Sequence, residues 1–286
     1  MSKTKYKIEE TEYLFDITGC TDFKRGNNTV LSDEDSDICY KMPWYSNGFE
    51  SADCFSLQEF EGLRLGITQV IKKLIDNNTQ INTDGFTLEK YHRFVTADED
   101  HFKIVSKTRN LFSDDFNFPI KKLISKFSNI LETKLTDIVP RTKEPYRIIV
   151  RINRPKSSDY NPPHKDMYEA YDGATNDNAL TRKDAPFVNL WVPIAGVTEK
   201  TSLPLAPSSH LISESEIIRT FEGGVIEGNK YRVRLIKEWG GSCSLVRSKV
   251  AYGQVLTFSS HLIHGLATNE EDDLTRTALE FRLFKK

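Results

Sequence analysis

The sequence predicts an α+β chain, mainly β, with helices in its N-terminal half and an antiparallel sandwich or jelly roll in its C-terminal half. Apolar side chains recur at helical spacing between residues 56 and 138. After Pro145 the pattern changes to short alternating or apolar segments separated by turn residues, as in sandwiches and jelly rolls. We expect a single domain over residues 1–286, with 1–144 its largely helical part and 145–286 its jelly-roll core.

Composition and charge narrow the classes of partner. Of the 286 residues, 38% are hydrophobic and 11% aromatic, which is enough for a packed core. The 39 basic and 41 acidic residues leave a formal charge of −2. The chain therefore has no excess of basic residues, which a protein that binds nucleic acid or an anionic membrane usually has. We therefore expect a small-molecule partner and neither of those two, while the oligomeric state stays open.

The cysteines and the N-terminus predict a cytoplasmic location. The four cysteines are Cys20, Cys39, Cys54 and Cys243, and none forms a Cys-x-x-Cys pair of the kind used in zinc ribbons or redox motifs. No apolar stretch follows the N-terminus, and no run approaches the roughly 20 apolar residues of a transmembrane helix. Free thiols in a reducing cytoplasm fit these features.

The N-terminal part begins with Tyr6–Ile17, which alternates loosely and predicts one or two strands. Residues 20–56 are rich in Gly, Asn, Asp, Ser and Pro and predict a loop with short structure. A helix then begins at Ser56, a suitable N-cap with Glu59 three residues later, as in a capping box. Its predicted apolar face consists of Phe60, Leu63, Ile67, Val70, Ile71 and Leu74.

Two further helices are predicted before the change of pattern. One covers roughly Asp98–Asn110. The other covers about Pro119–Ile138 and is expected to end before Pro140. Its apolar side chains at helical spacing are Ile120, Leu123, Ile124, Phe127, Ile130 and Leu131.

The C-terminal part predicts a series of short strands. Some segments are compact and apolar, and others alternate apolar with charged side chains. They are Tyr146–Ile152, Phe187–Ile194, Lys230–Lys237, Gln254–Phe258 and Thr275–Leu283.

Three side chains in this part form a candidate metal site. His164 and Asp166 are two residues apart, so at the end of a strand both side chains would point to one face. His264 is expected at the end of the Gln254–Phe258 strand and is followed by a glycine. Two imidazoles and one carboxylate are the facial triad that holds non-haem Fe(II) and leaves coordination positions open. A His-x-Asp pair alone is weak, and His261 competes with His264 as the third ligand.

An oxygenase with an Fe(II) site of this kind needs an electron donor such as a keto acid, and Arg276 could bind that donor. A planar guanidinium pairs well with the distal carboxylate of a keto acid. In a strand over Thr275–Leu283, the side chains of Arg276, Ala278, Glu280 and Arg282 would share one face. The alternative is an amphipathic edge strand whose two arginines are solvated.

The chain resembles the Fe(II)- and 2-oxoglutarate-dependent oxygenases, closest to their phytanoyl-CoA-dioxygenase-like branch, over roughly residues 145–286. The resemblance implies a double-stranded β-helix (a cupin-like jelly roll) and maps the metal ligands onto His164, Asp166 and His264. It maps the 2-oxoglutarate arginine onto Arg276. A Pro-Gly-Ser-His turn of the family reads Pro207-Ser-Ser-His210 here, and His210 is taken as structural. The residues that carry the resemblance are His164-Lys-Asp166, Asn189-Leu-Trp-Val-Pro193, Leu205-Ala-Pro-Ser-Ser-His210, Gly253-Gln-Val-Leu-Thr-Phe258, His264-Gly265, Asn269 and Thr275-Arg-Thr-Ala-Leu-Glu-Phe-Arg282.

The family's chemistry gives the expected function. It implies that the chain hydroxylates an unactivated C–H bond of a small biosynthetic substrate, and that 2-oxoglutarate and O2 are consumed while succinate and CO2 are released. No catalytic residue beyond the metal ligands is implied. The presence of Asp166 argues against the halogenase variant, in which a small residue makes room for chloride.

Other residues near these motifs are candidates for ligand contacts. Asn189 and Trp191 share one strand face and are expected to point toward the cofactor cavity, although Trp191 could equally be core. Tyr168 could line the substrate entrance. The long polar loop 169–186 could be a lid or a surface insertion. Arg232, Arg234, Arg247 and Lys249 could meet a polar or anionic substrate or lie on solvated faces.

Three alternatives to hydroxylation remain open from the sequence. The same cofactor chemistry could give desaturation or cyclisation. A metal-free or zinc-binding jelly roll could bind sugar without catalysis, but it would not need both the triad and Arg276. A protein-modifying oxygenase would need a broad groove.

Overall fold

The structure, a computed structural model, describes residues 2–17, 22–171, 180–226 and 228–286. Its α-helices are few and all lie in the N-terminal half of the chain. They are α1 (Leu57–Asn78), α2 (Tyr91–Phe94), α3 (Asp98–Thr108) and α4 (Ile120–Ile130). No helix among the described residues combines the length and the apolar character needed to cross a membrane.

Fifteen strands are defined in the described ranges, and they occur in both halves of the chain. They are β1 (Ser2–Ile8), β2 (Thr11–Ile17), β3 (Lys24–Arg25), β4 (Phe49–Asp53), β5 (Leu135–Thr136), β6 (Ile149–Asn153), β7 (Phe187–Ala195), β8 (Pro204–Leu205), β9 (Ile217–Arg219), β10 (Gly224–Ile226), β11 (Asn229–Tyr231), β12 (Ile236–Trp239), β13 (Ser244–Arg247), β14 (Gln254–Ser259) and β15 (Arg276–Lys285).

The main sheet is antiparallel and is built around β7 and β15. Its order is β4-β14-β7-β15-β5, and β6 pairs with the first half of β15. Every residue of β7 is buried, as expected for a strand covered on both faces. β15 is paired on both sides, in register Leu279↔Val192 with β7 and Leu279↔Val150 with β6. It is therefore not the amphipathic edge strand considered above.

The second layer combines strands from both ends of the chain. A six-stranded sheet has the order β11-β10-β2-β1-β13-β8, and a three-stranded sheet has the order β12-β9-β3. The hairpin of β1 and β2 confirms the strands predicted for Tyr6–Ile17. β1, β2 and β4, which precede residue 144, belong to the sheets.

The helices cover the outer face of the main sheet. Ile67 and Ile71 of α1 and Phe127 of α4 are fully buried in one cluster with Val192 and Phe281. The rings of Phe127 and Phe281 meet at 5.3 Å between centroids. Ser56 caps α1 through the predicted capping box. The apolar faces read from the sequence are thus the faces that pack on the sheet.

The inner face of the main sheet packs against the second layer. Trp191, Phe258 and Ala278 from the main sheet join Leu203 and Leu205 in one cluster. Two layers of mainly antiparallel sheet with the long helices on one outer face form a double-stranded β-helix, so the predicted fold class is confirmed.

Two element predictions were wrong in their bounds. The helix predicted to reach Ile138 ends at Ile130, because Glu132 adopts φ 47° and the amide of Thr133 donates to the Ser128 carbonyl at 3.0 Å. This is a Schellman cap without the usual glycine. The following residues form β5, and Pro140 lies well outside the helix.

The segment Lys230–Lys237 is not one strand but parts of two. β11 ends at Tyr231 and pairs with β10, whereas β12 begins at Ile236 and pairs with β9 in another sheet. The residue pattern within the segment does not show where one strand ends and the next begins. The division depends on pairing with strands of two different sheets.

Candidate metal centre

His164 and His264 are held face to face by the backbone. The amide of His164 donates to the carbonyl of His264 at 2.9 Å, and the reciprocal hydrogen bond is 3.0 Å long. This isolated bridge replaces the strand end that the sequence predicts, and Asp166 begins a short 3₁₀ helix (Asp166–Ala170). His264 likewise lies beyond a turn after β14 and not at its last residue.

The glycine after His264 permits this close approach. Gly265 has φ 132°, and a Cβ at this position would lie 2.5 Å from the carbonyl oxygen of Pro162. Only glycine allows both this backbone conformation and this contact without strain. The pairing of the two histidine segments therefore depends on Gly265.

Both imidazoles present Nε2 to the same carboxylate. His164 Nδ1 lies 2.7 Å from the carbonyl oxygen of Pro162, and His264 Nδ1 lies 3.1 Å from that of Leu262. Because a carbonyl only accepts, these contacts require Nδ1–H and leave the Nε2 lone pairs available for a metal. The Nε2 atoms lie 3.3 and 3.5 Å from the two oxygens of Asp166. Ligand atoms of the three residues all fall within 4.8 Å of one another.

Arg282 holds the carboxylate of Asp166. Its NH2 and Nε lie 2.5 and 3.2 Å from the two carboxylate oxygens. Although burial opposes ionisation, the guanidinium, together with the two histidines, keeps the pKa of Asp166 well below its usual range. The ligand is therefore a carboxylate at neutral pH.

Burial favours the metal-binding form of His264. It lowers the pKa of this imidazole to about 4, so the ring is neutral at pH 7. The ring of Phe258 packs edge-on against it at 4.9 Å between centroids and fixes its position. All three residues are at least 94% buried.

Lys165, between the two ligands, projects away from them. Its ammonium is fully buried and lies 3.2 Å from Glu214, whose other oxygen accepts from Arg219 at 2.8 Å. Adjacent residues in extended backbone point to opposite sides, so this ion pair anchors the segment from behind.

His261 and His210 are placed away from the triad. His261 lies 3.5 Å from Asp37 in a separate buried cluster, and His210 packs edge-on against Tyr45. Neither belongs to a group of three potential ligands within the described residues. The geometry thus brings His264, and not His261, to His164 and Asp166.

An inner cavity lies beside the three side chains over the inner face of the main sheet. It has about 50 Å³, room for about four water molecules at roughly 10–15 Å³ each. Asn189, Trp191 and Arg276 line it, together with all three candidate ligands. Asn189 and Trp191 thus share the predicted face, next to the candidate metal position.

The lining of this cavity contains hydrogen-bond donors without acceptors. Asn189 Nδ2, Trp191 Nε1, and Nε and NH1 of Arg276 are buried and have no partner in the described parts of the chain. Arg276 does donate through NH2 to the Asn153 side chain. Burial lowers the pKa of Arg276 to about 9, and it remains cationic at pH 7. Unpaired buried donors are costly, so the cavity is suited to a ligand rich in acceptors.

Other charged groups on this face are already paired. Arg151 forms a bidentate ion pair with Glu280 at 2.8 and 3.1 Å. Arg282 is engaged by Asp166 and also by Glu169 at 2.7 Å. Arg276 is therefore the arginine of β15 that has hydrogen-bonding capacity left over.

A larger outer cavity of about 390 Å³ also reaches His164 and Asp166 and shares no other residue with the inner one. Tyr168 lines it with its ring, while its buried hydroxyl lies 3.1 Å from both oxygens of Glu214. Of the loop 169–186, residues 172–179 lie outside the described residues, so its proposed role as a lid stays a prediction.

Sequence reasoning missed several residues that build the centre. Arg282 was placed on the right face, but its pairing with Asp166 requires knowing that β15 is central. Lys165 and Glu214 were also missed, because 49 positions separate them. The carbonyls that orient the imidazoles belong to Pro162 and Leu262, each two residues before its histidine, a spacing that could have suggested them.

Comparisons with known proteins give distant structural likenesses. The chain is similar to "EctD from S. alaskensis with 2-oxoglutarate and 5-hydroxyectoine", with 12% identity, a TM-score of 0.46, and coverage of 95% of this chain and 86% of that one. It is also similar to "non-heme alpha ketoglutarate dependent carbocyclase SnoK from nogalamycin biosynthesis", with 13% identity, a TM-score of 0.43, and coverage of 91% and 87%. A third is "Non-heme monooxygenase, ThoJ-Ni complex", with 13% identity, a TM-score of 0.42, and coverage of 85% and 75%.

No protein-family model matches the sequence, and a comparison with curated proteins finds no significant match. Because these TM-scores are below 0.5, the likenesses do not indicate what chemistry this chain performs. That chemistry is inferred from the residues of its own site.

Proposed function

We propose that the chain is a non-haem Fe(II)- and 2-oxoglutarate-dependent dioxygenase of the phytanoyl-CoA-dioxygenase-like kind. Its reaction would hydroxylate an unactivated C–H bond of a small biosynthetic substrate and release succinate and CO2. The observation that carries this proposal is a buried His-Asp-His cluster beside a cavity whose donors lack acceptors. The facial triad accounts for the cluster, and an acceptor-rich keto acid accounts for the donors.

The residues fit the metal. His164 and His264 present their Nε2 atoms in orientations fixed by backbone carbonyls at Nδ1, and Asp166 offers an ionised carboxylate. Two imidazoles and a carboxylate are the ligands of non-haem Fe(II) sites, and bound iron with the keto acid supplies the oxidising chemistry. Arg282 can keep one oxygen of Asp166 while the other faces the metal, so it would position this ligand.

The residues also fit 2-oxoglutarate. Arg276 presents two unpartnered groups, Nε and NH1, in the fork that a carboxylate takes up. Asn189 and Trp191 add one donor each, and the rings of Phe258 and Trp191 exclude water around them. A sugar-binding module without catalytic activity would not need a buried arginine with free hydrogen-bond donors next to a metal-binding triad.

The experiment that tests this function is an anaerobic titration of the purified chain with Fe(II) and 2-oxoglutarate, monitoring the weak visible charge-transfer band. We expect a band in the wild type and none in His164→Ala. In Arg276→Ala the band should need about tenfold to hundredfold more 2-oxoglutarate, as expected for the loss of a charge-assisted hydrogen bond.

Arg93→Ala is the matched control, because Arg93 is an exposed arginine paired with Asp273 and does not line the cavity. It should behave as the wild type. Absence of the band in the wild type would reject the assignment. Substrate-triggered succinate release, with product masses, then separates oxygen insertion from loss of hydrogen.

The proposed reducing, cytoplasmic location is supported by the thiols. Cys39, Cys54 and Cys243 are free, while Cys20 lies outside the described residues.

A further inference from the structure

The wall of the outer cavity contains several cationic side chains. Arg232 and Arg234 line it from one side, and Lys183 lines it as well. Its carboxylates are Glu222 and two that are already engaged: Asp166 pairs with Arg282, and Glu169 pairs with Arg282 at 2.7 Å. The lining that the structure describes therefore carries more positive than negative charge.

A buried cluster behind the wall adds to this excess. Lys165 and Arg219 are both fully buried and share one carboxylate, Glu214, at 3.2 and 2.8 Å. The NH2 of Arg219 has no partner in the described ranges 2–17, 22–171, 180–226 and 228–286. Two buried cations against one carboxylate leave a net positive charge that a nearby anion would compensate.

The aromatic part of the wall connects this charge to the cavity. The guanidinium of Arg219 lies 3.8 Å from the ring centre of Phe221 and 4.5 Å from that of Tyr168. Both rings line the outer cavity, so the buried charge lies directly behind its apolar surface. With Tyr171, they offer an aromatic platform close to the cationic groups.

The cavity also has the right position relative to the metal ligands. His164 and Asp166 form the boundary between the inner cavity, which contains Arg276, and the outer one. A molecule in the outer cavity reaches the metal position without displacing a ligand from the inner cavity. Its volume of about 390 Å³ is several times that of the inner cavity and suits a larger molecule.

We propose that the outer cavity binds an anionic substrate, whose carboxylate or phosphate group is held by Arg232 and Arg234 while its apolar part lies on Phe221 and Tyr171. The role as substrate rests on the proposed function, because it assumes that chemistry occurs at His164 and Asp166. The selectivity for an anion rests on the cavity alone and can be tested on the metal-free chain.

The test uses isothermal titration calorimetry of the full, metal-free chain with three probes. Phenylacetate and phenyl phosphate are anionic, and phenylacetamide is the neutral match for phenylacetate. We expect at least one anion to bind about tenfold more tightly than the amide, and Arg232→Ala to remove about that advantage, as for one charge-assisted contact. The preferred anion shows whether carboxylate or phosphate is recognised.

Two variants control for other origins of anion binding. Lys230→Ala removes an exposed cation of β11 that does not line the cavity, so it should leave the probe affinity unchanged. Arg276→Ala removes the cation of the inner cavity and should also leave it unchanged. Arg232 is itself exposed, so its replacement preserves the fold, which a thermal melt verifies.

Several results would overturn the inference. They are equal affinity for acid and amide, no binding of either anion at millimolar concentration, an equal loss in Lys230→Ala, or a loss in Arg276→Ala in place of Arg232→Ala. The outcome is independent of the charge-transfer band. Anion-selective binding without the band rejects the proposed function alone, whereas a normal band without anion selectivity rejects the inference alone.

Discussion

Gly265 illustrates how a single residue determines the geometry of the centre. Its φ of 132° and its contact with Pro162 allow the segment of His264 to lie against that of His164. The same Pro162 carbonyl accepts the Nδ1–H of His164, so one peptide group both limits the glycine and orients a ligand.

We predict that Gly265→Ala lowers the free energy of unfolding by at least about 1–3 kcal/mol, the usual cost of a strained backbone position. The displaced Pro162 carbonyl should also weaken Fe(II) binding by about tenfold or more, as the loss of a ligand-orienting contact does. Urea denaturation and metal titration measure the two effects. Gly62→Ala, at an exposed helical glycine with nothing within 4 Å, is the control and should be neutral or stabilising. Equal behaviour of the two variants would contradict the prediction.

The candidate ligands could be proposed from the sequence because their residue types and spacing are local signals. His164-Lys165-Asp166 is contiguous, and His264 is marked by the glycine that follows it. The pairing of Arg282 with Asp166 could not be predicted, since it joins positions 116 residues apart.

Ser208 adopts a backbone conformation that favours glycine, and a local hydrogen bond explains why a serine is tolerated there. Ser208 adopts φ 61°, and its hydroxyl donates to the carbonyl of Ser46 at 2.8 Å. The backbone there has the left-handed conformation that favours glycine, and the hydrogen bond offsets part of its cost.

At the scale of elements, α1 is the best-specified helix. Ser56 Oγ accepts from the amide of Glu59, while the Glu59 carboxylate accepts from the amide of Ser56 and pairs with Lys126 of α4. The cap thus also joins two helices that cover the main sheet.

We predict that Ser56→Ala lowers the free energy of unfolding by about 1 kcal/mol, the usual cost of losing a serine N-cap. Ser56 lines neither cavity, so the charge-transfer titration should be unchanged. Ser125→Ala, at an exposed position inside α4, removes a serine without a cap and should not destabilise. A loss of stability in Ser125→Ala equal to that in Ser56→Ala would rule out the cap as the cause.

Helices with strong apolar periodicity could be predicted from the sequence. Their ends could be predicted only where a capping residue is recognisable in the sequence. α1 begins at its predicted cap, whereas α4 ends at Ile130 because of the left-handed conformation of Glu132, a residue with no sequence mark of such a cap. β11 and β12 were merged in the prediction because their separation depends on partners in different sheets. Local chemistry predicts element type, and long-range pairing decides the bounds.

At the scale of the whole molecule, buried imidazoles make stability depend on pH. His210 is fully buried, and burial lowers its pKa from 6.5 to about 4. Its neutral form is favoured in the folded state, so between these pH values the unfolded chain binds a proton that the folded chain does not. Stability therefore falls as pH decreases from about 6.5 to 4 and is fully present above 6.5.

We predict that His210→Phe reduces this fall by up to about 1.4 kcal/mol per pH unit within that range. The phenyl ring keeps the edge-on contact with Tyr45 and has no proton to bind. Urea denaturation of both proteins at pH 7.5, 6, 5 and 4.5 measures the difference, and the pH 7.5 pair isolates any packing effect. Parallel pH profiles would show that His210 makes no contribution.

The strand order has a consequence for the time course of synthesis. β1 pairs in parallel with β13, more than 200 residues later, through Lys7↔Ser244, and β15, which follows all the other strands in the sequence, is central in the main sheet. An isolated β1–β2 hairpin is marginal in water. The second layer therefore cannot be completed before β13 emerges from the ribosome, and the main sheet cannot be completed before β15 emerges. Until then the nascent chain carries unpaired strand edges, which make it prone to aggregate.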